Sequence, residues 1–269
     1  LVGRQVASFF DGAVAWLSYA DRLYQLPLGV VGIAIGIVLL PDLSRRLKAG
    51  DGSGGRDAIN RATELTLALT LPAAVALIVI PVPIVATLFE RGAFTAADTL
   101  PTALAVAVYG AGLPAFVMQK VLSPLYYARE DTRSPFRFAV WAMVVNAVVA
   151  LGLAPFIGFI AAALGTTVAG WVMLWQLWQG TKPMGDMAAA DARLRRAAPR
   201  IAVASLLMGV ILVVAARLLG PVLADPLQRY AALALLVVLG FAAYAAAAFA
   251  IGGMRLADLR AAMRRPPRP

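Results

Sequence analysis

The residues with the greatest chemical reach lie inside an apolar run, in Tyr19-Ala20-Asp21-Arg22-Leu23-Tyr24-Gln25-Leu26-Pro27. An arginine within a hydrocarbon-spanning helix costs about 2.5–3.5 kcal/mol on insertion scales. Arg22 must therefore face a bundle interior or a water-filled cavity, and two readings follow. Its planar guanidinium is a bidentate clamp for a phosphate or carboxylate, or it is buried in an ion pair with an acid from another span. Asp21 offsets part of the charge at most, since neighbours i and i+1 do not face each other on a helix. Lys120 is a second cation at depth, about seven residues from the end of its span. It either reaches into a cavity or snorkels to the interface. Gln119, Asn146, Thr166 and Thr167 are polar groups at depth, whose default role is hydrogen bonding between helices.

Catalysis needs a positioned acid–base pair or an activated nucleophile. The chain has no Cys and no His, which removes thiol and imidazole chemistry and the usual zinc ligands together. Asp21 and Glu64 are the clearest acids within spans. No catalytic residue, no metal ligand set and no cofactor site is assigned. A cavity richer in cations than acids suits binding an anion better than turning it over.

The elements that must hold these groups are transmembrane helices. The 269 residues are 61% apolar, with a mean hydropathy of +0.81, against about 45–50% apolar in soluble domains. The run Leu1–Phe10 is too short to span and reads as the end of a helix cut by the start of the chain. Complete spans are expected at about Ala13–Leu40, Ala58–Ile80, Ala97–Tyr127, Phe136–Ala154, Phe159–Trp178, Arg200–Leu219 and Tyr230–Ile251. Pro27, Pro72 and Pro114 are expected kinks. Pro81-Val82-Pro83 ends or bends the second span before a short Ile84–Phe89 continuation. Thr95, with Asp98 three residues on, is an expected capping pair for the third. Asp42–Asp57 reads as a loop made flexible by Gly50-Asp51-Gly52-Ser53-Gly54-Gly55, and Thr181–Pro199 as a basic loop holding at most a surface helix. Gly29, Gly32 and Gly36 are a packing row, and Trp171, Trp175 and Trp178 are interfacial anchors.

The 24 Lys and Arg residues fix an expected orientation. Eighteen fall in the loops after spans one, three and five or in the tail, and only Arg91, Arg217 and Arg229 in the opposite loops. This is a positive-inside pattern with a cytoplasmic C-terminus. It accounts for the net charge of +10 without nucleic acid. Arg4, Arg22 and Lys120 remain outside that count.

Tyr19–Val30 followed by Leu39-Leu40-Pro41-Asp42-Leu43-Ser44-Arg45 resembles the eighth-helix signature of the MurJ/MviN lipid II flippases. Leu88-Phe89-Glu90-Arg91-Gly92-Ala93-Phe94-Thr95 resembles that family's next outer loop, and Lys120–Thr132 the end of its tenth helix. The resemblance covers about residues 1–180. It implies an all-α polytopic membrane protein, here seven complete transmembrane helices plus the end of an eighth, as the C-terminal lobe of a fourteen-helix flippase of the multidrug/oligosaccharidyl-lipid/polysaccharide exporter type. Residues 1–180 would be its second six-helix lobe with the first helix truncated, 181–199 a cytoplasmic basic loop, 200–254 two additional helices and 255–269 a cytoplasmic basic tail.

The resemblance further implies flipping of lipid II, a peptidoglycan precursor, across the inner membrane by alternating access. Its partners would be membrane lipids and the N-terminal lobe of the same full-length chain. In the family the arginine matching Arg22 lines a cationic cavity, so Arg22, Asp21, Gln25 and Lys120 are the candidate substrate-binding residues. The last two helices form a groove that leads the polyprenyl tail toward that cavity. The driving force would be Na+ or the membrane potential. The acids of the family's sodium site have no counterpart in Leu1–Phe10 or at Ala150, which leaves Asn146 and Thr166 as neutral ligands. Three alternatives stand beside this reading: a related exporter of drugs or polyprenyl-linked oligosaccharides, a membrane enzyme acting on polyprenyl phosphates near Glu130-Asp131, and a non-transporting scaffold.

Overall fold

The computed structural model describes residues 2–185 and 188–251. The expected tail, 255–269, lies outside the described residues, as do 252–254. The described chain forms helices α1 (Val2–Ala7), α2 (Ala13–Lys48), α3 (Gly52–Val79), α4 (Pro81–Phe89), α5 (Ala96–Tyr127), α6 (Arg133–Ile157), α7 (Ile160–Thr181), α8 (Ala192–Leu218), α9 (Gly220–Ala224) and α10 (Arg229–Ala250), with a 3-10 turn at Lys182–Met184. No strand occurs among the described residues. Six helices, α3, α5, α6, α7 with its 3-10 turn, α8 and α10, are long and apolar enough to cross a membrane. The 36-residue α2 is about 54 Å long at 1.5 Å per residue, well beyond a hydrocarbon core of about 30 Å.

The bundle is built around α5. Val106, Leu113, Val117, Val121 and Leu125 along it are fully buried, with α2, α3 and α7 packed around them. Outside this inner set, α6 packs on α7, and α1 lies against both. Tyr126 donates its hydroxyl to the Leu177 carbonyl (2.5 Å) and Thr167 to Val108 (2.9 Å), pinning α7 to α5. Gly165 permits the close approach of α6 and α7. A Cβ there would stand 2.8 Å from the main-chain oxygen of Asn146.

The last helices join through a smaller cluster, in which Met208 and Leu212 of α8 meet Leu236 and Tyr244 of α10 beside Ile80. Tyr244 reaches across to donate to the Ala68 carbonyl (2.8 Å). At one end of the bundle Arg229 donates to the Glu90 carbonyl (2.8 Å) and lies 3.7 Å from its carboxylate. At the other, Arg61 binds Glu64 (2.6 Å) and Asp191, while Arg193 binds Glu64 (3.0 Å).

Two expected loops shrink. α2 continues through Pro41 to Lys48, because Asp42 collects Arg45 (2.7 Å) and Arg46 (2.8 Å) one turn on. The glycine-rich stretch is not a free loop. Asp51 accepts the Gly54 N–H (2.8 Å) and caps α3, which begins at Gly52. That N–H, with the Ser53 hydroxyl, holds the Asp51 carboxyl below the usual carboxylate range. Similarly, Asp191 accepts the Leu194 N–H (2.6 Å) and starts α8 at Ala192, so the helix reaches eight residues into the stretch read as loop. The Thr95/Asp98 capping pair forms as expected, with the Thr95 N–H 2.8 Å from the Asp98 carboxylate. That carboxylate also accepts the Trp16 indole N–H (2.8 Å) and so ties α2 to α5.

The Gly165 contact yields a stability test. Gly165→Leu overpacks the α6–α7 contact and should destabilise the full-length parent by about 1–3 kcal/mol, seen as a lowered thermal midpoint in detergent. Gly152→Ala on the same helix pair meets open space and should leave the midpoint unmoved.

Candidate substrate-binding site

The candidate residues divide between two places. Arg22 and Gln25 point outward on α2, on one exposed face that continues through Leu26, Val30 and Ile33. Arg22 has no carboxylate within 4.0 Å among the described residues; its guanidinium lies 5.9 Å from the Tyr19 ring centroid. The ion-pair partner from another span does not occur within this set of helices. Lys120 is exposed on α5 and lies flat across α2 at Gly32, where a Cβ would stand 2.5 Å from its Cδ. Gly32 is thus the groove for a lysine stem, while Gly29 borders open space. The surroundings of Gly36, the last of the expected row, fall outside the described residues. Ten residues separate Arg22 from Gly32, about 15 Å along the axis, so the two cations mark separate points on the same side.

Asp21 goes elsewhere. One residue is about 100° of helix rotation, and Asp21 turns into a cavity of about 470 Å³ between α1, α2, α5, α6 and α7. Arg4 lies 3.7 Å from its carboxylate. Tyr24, Tyr109, Gln119, Asn146 and Thr166 line the same space. Asn146 donates to the Thr166 hydroxyl (3.1 Å), which in turn donates to the Ala162 carbonyl (3.1 Å), and Gln119 donates to the Gly170 carbonyl (2.8 Å). These three polar groups bridge helices. No group of three or more His, Cys, Asp or Glu side chains able to hold a metal occurs among the described residues. Arg4 and the two tyrosines were not among the sequence candidates. Arg4 stood in a stub with no visible partner, and nothing in the sequence aligns Tyr109 with Asp21.

A family model described as lipid II flippase MurJ matches residues 1–251. The chain belongs to the MurJ family of lipid II flippases. It is 41% identical to a probable lipid II flippase MurJ of Rhizobium tropici, and 43% identical to one of Rhizobium meliloti (strain 1021), each over 98% of this chain and 50% of the relative. A solved structure of lipid II flippase MurJ in an inward closed conformation superposes with a TM-score of 0.76 at 26% identity, covering 98% of this chain and 51% of that one. The chain spans about half the length of the curated relatives it matches. The all-helical multi-pass membrane fold agrees with the family. The relatives are named as flippases, so MurJ proteins are transporters rather than enzymes, as the lack of an acid–base pair led one to expect.

The Arg22 face is directly testable by thiol chemistry, since this stretch has no cysteine. In a full-length parent without other cysteines, Arg22→Cys and Gln25→Cys should react with a membrane-impermeant thiol reagent, and Leu23→Cys, at a site 7% exposed, should not. Unreactive positions 22 and 25 would place that face against lipid or packed protein.

Proposed function

We propose that this chain is the second lobe and two extra helices of an inner-membrane flippase that moves lipid II, the lipid-linked peptidoglycan precursor. The observation that carries the reading is the open face of Arg22, Gln25 and Lys120. A guanidinium at membrane depth cannot stay against hydrocarbon without the cost given above, so water or protein covers this face in the whole molecule. The missing half of the relatives' length is the natural cover, and the space between is then a cavity with positive walls. Lipid II is anionic at its diphosphate, and a forked guanidinium pairs with such oxygens bidentately. Exporters of organic cations would need acids on this face instead. None stands there among the described residues, because the one candidate, Asp21, turns inward to Arg4.

In this reading residues 1–180 form the lobe, 200–254 the added helices, and the basic loop and tail lie on the cytoplasmic side. Transport proceeds by alternating access, the two lobes rocking about the bound head group with membrane lipids around them. Asn146 donates to Thr166, and the one carboxylate lining the same cavity, Asp21, is already paired with Arg4, so among the described residues the cavity offers Na+ no unpaired acid. The membrane potential is therefore the favoured driving force.

The deciding experiment is lipid II translocation by the full-length parent at matched expression. Arg22→Ala and Arg22→Lys should each lose about tenfold or more, the scale of a charged hydrogen bond of about 1.5–3 kcal/mol. Near-normal transport by Arg22→Ala would remove the clamp.

A further inference from the structure

The tryptophans of α7 form one wall of a groove unrelated to the Arg22 face. Trp171, Trp175 and Trp178 fall at i, i+4 and i+7, on one side of the helix, and are 46%, 58% and 50% exposed. Across from them stand Ile59 of α3 and Met118 and Leu122 of α5, enclosing about 740 Å³, within the range of about 300–1,000 Å³ typical of ligand sites. No described residue of α2 or α10 lines it, so it is separate from the Arg22 face and from the α8–α10 seam. Trp171 anchors the wall by donating to the Ala111 carbonyl (3.0 Å).

The groove ends at two cations. Lys182 and Arg195 line it, both exposed, and neither has a carboxylate within 4.0 Å among the described residues. Among the described residues, the acids nearby in the chain's basic end are engaged elsewhere, Glu64 and Asp191 by Arg61 and Glu64 also by Arg193. Lys182 is held at the edge of the aromatic wall, its Nζ 5.4 Å from the Trp178 ring centroid. Beneath, Asn60 donates to the Ala189 carbonyl (3.1 Å) and accepts the Asp191 N–H (3.0 Å), fixing the floor to α3.

An apolar slot between membrane-spanning helices that ends in two cations without a carboxylate partner among the described residues has the outline of an anionic lipid. We propose that it binds an anionic glycerophospholipid of the leaflet at the basic end of the bundle. An acyl chain lies between the tryptophans and Ile59, Met118 and Leu122, and the phosphate lies between Lys182 and Arg195. Such a lipid fills the gap between α7 and the α3–α8 pair. The assignment needs only the membrane-spanning fold, not the transport reading.

The test is native mass spectrometry of the purified full-length parent, titrated with phosphatidylglycerol or with phosphatidylcholine of the same acyl chains. The parent should bind phosphatidylglycerol more tightly. Lys182→Ala with Arg195→Ala should weaken phosphatidylglycerol about fivefold or more, near the scale of basic residues at an anionic surface, and leave phosphatidylcholine unchanged. Lys182→Arg with Arg195→Lys should retain binding, and Trp175→Ala should weaken both lipids. Equal binding of the two lipids by the parent, or no loss in the double alanine variant, would overturn the site. Undecaprenyl diphosphate displacing phosphatidylglycerol, with the same dependence on the two cations, would overturn it too and give the groove to the polyprenyl lipid.

Discussion

Much of this structure follows from what becomes of a positive charge carried into hydrocarbon. Three cations sit within the helices away from the basic loops, and each is handled differently. Arg4, itself largely exposed, turns toward Asp21 at 3.7 Å at the rim of an open cavity. Lys120 lies along α2 over Gly32, its stem against backbone rather than lipid. Arg22 points outward with only a ring beneath it. The buried axle α5 makes these dispositions possible, because α2 and α7 must pack against it before any cavity exists between them.

The ends of the bundle obey the same electrostatics in reverse. There charges can meet water, yet the ones that tie the final helices to the rest of the bundle are paired. Asp191 is at once the cap of α8 and a partner of Arg61, and Arg229 joins α10 to the Glu90 loop. These pairs are only partly exposed, with Arg229 at 12%, and even in water such pairs contribute little individually, about 0–1 kcal/mol. Here they act beside apolar contacts of α8 and α10 with α3 and α4, so they set orientation more than affinity.

The spans themselves were legible from hydropathy, and the Thr95/Asp98 cap from residue type. What the sequence hid was direction and distance. Asp21 and Arg22 are neighbours in the chain, and a motif lists them together, but one helical step separates a cavity from an open face. Gly50–Gly55 has the composition of a flexible linker, and only the geometry of Asp51 shows that it begins a helix. The cavity around Asp21 joins residues from five helices far apart in sequence, which no local pattern can register. Lys182 and Arg195 vanished into the count that fixed topology. Summing charges by loop gives orientation and erases which ones lack partners.

That distinction between engaged and available charge bears on how a transport site can work. A cation over an aromatic face at an exposed site is held by about 0.5–1 kcal/mol, while a charged hydrogen bond contributes about 1.5–3 kcal/mol. Moving Arg22 from the Tyr19 ring to a phosphate is thus downhill, whereas drawing Arg4 from Asp21 would strand a half-buried carboxylate. A site that must take up and release its ligand in each cycle works best with a group that gives up little on binding and regains a modest resting contact afterwards. By that criterion Arg22, with only a ring contact to give up, is better suited to take up an anion than Arg4, which would have to leave the Asp21 carboxylate to do so.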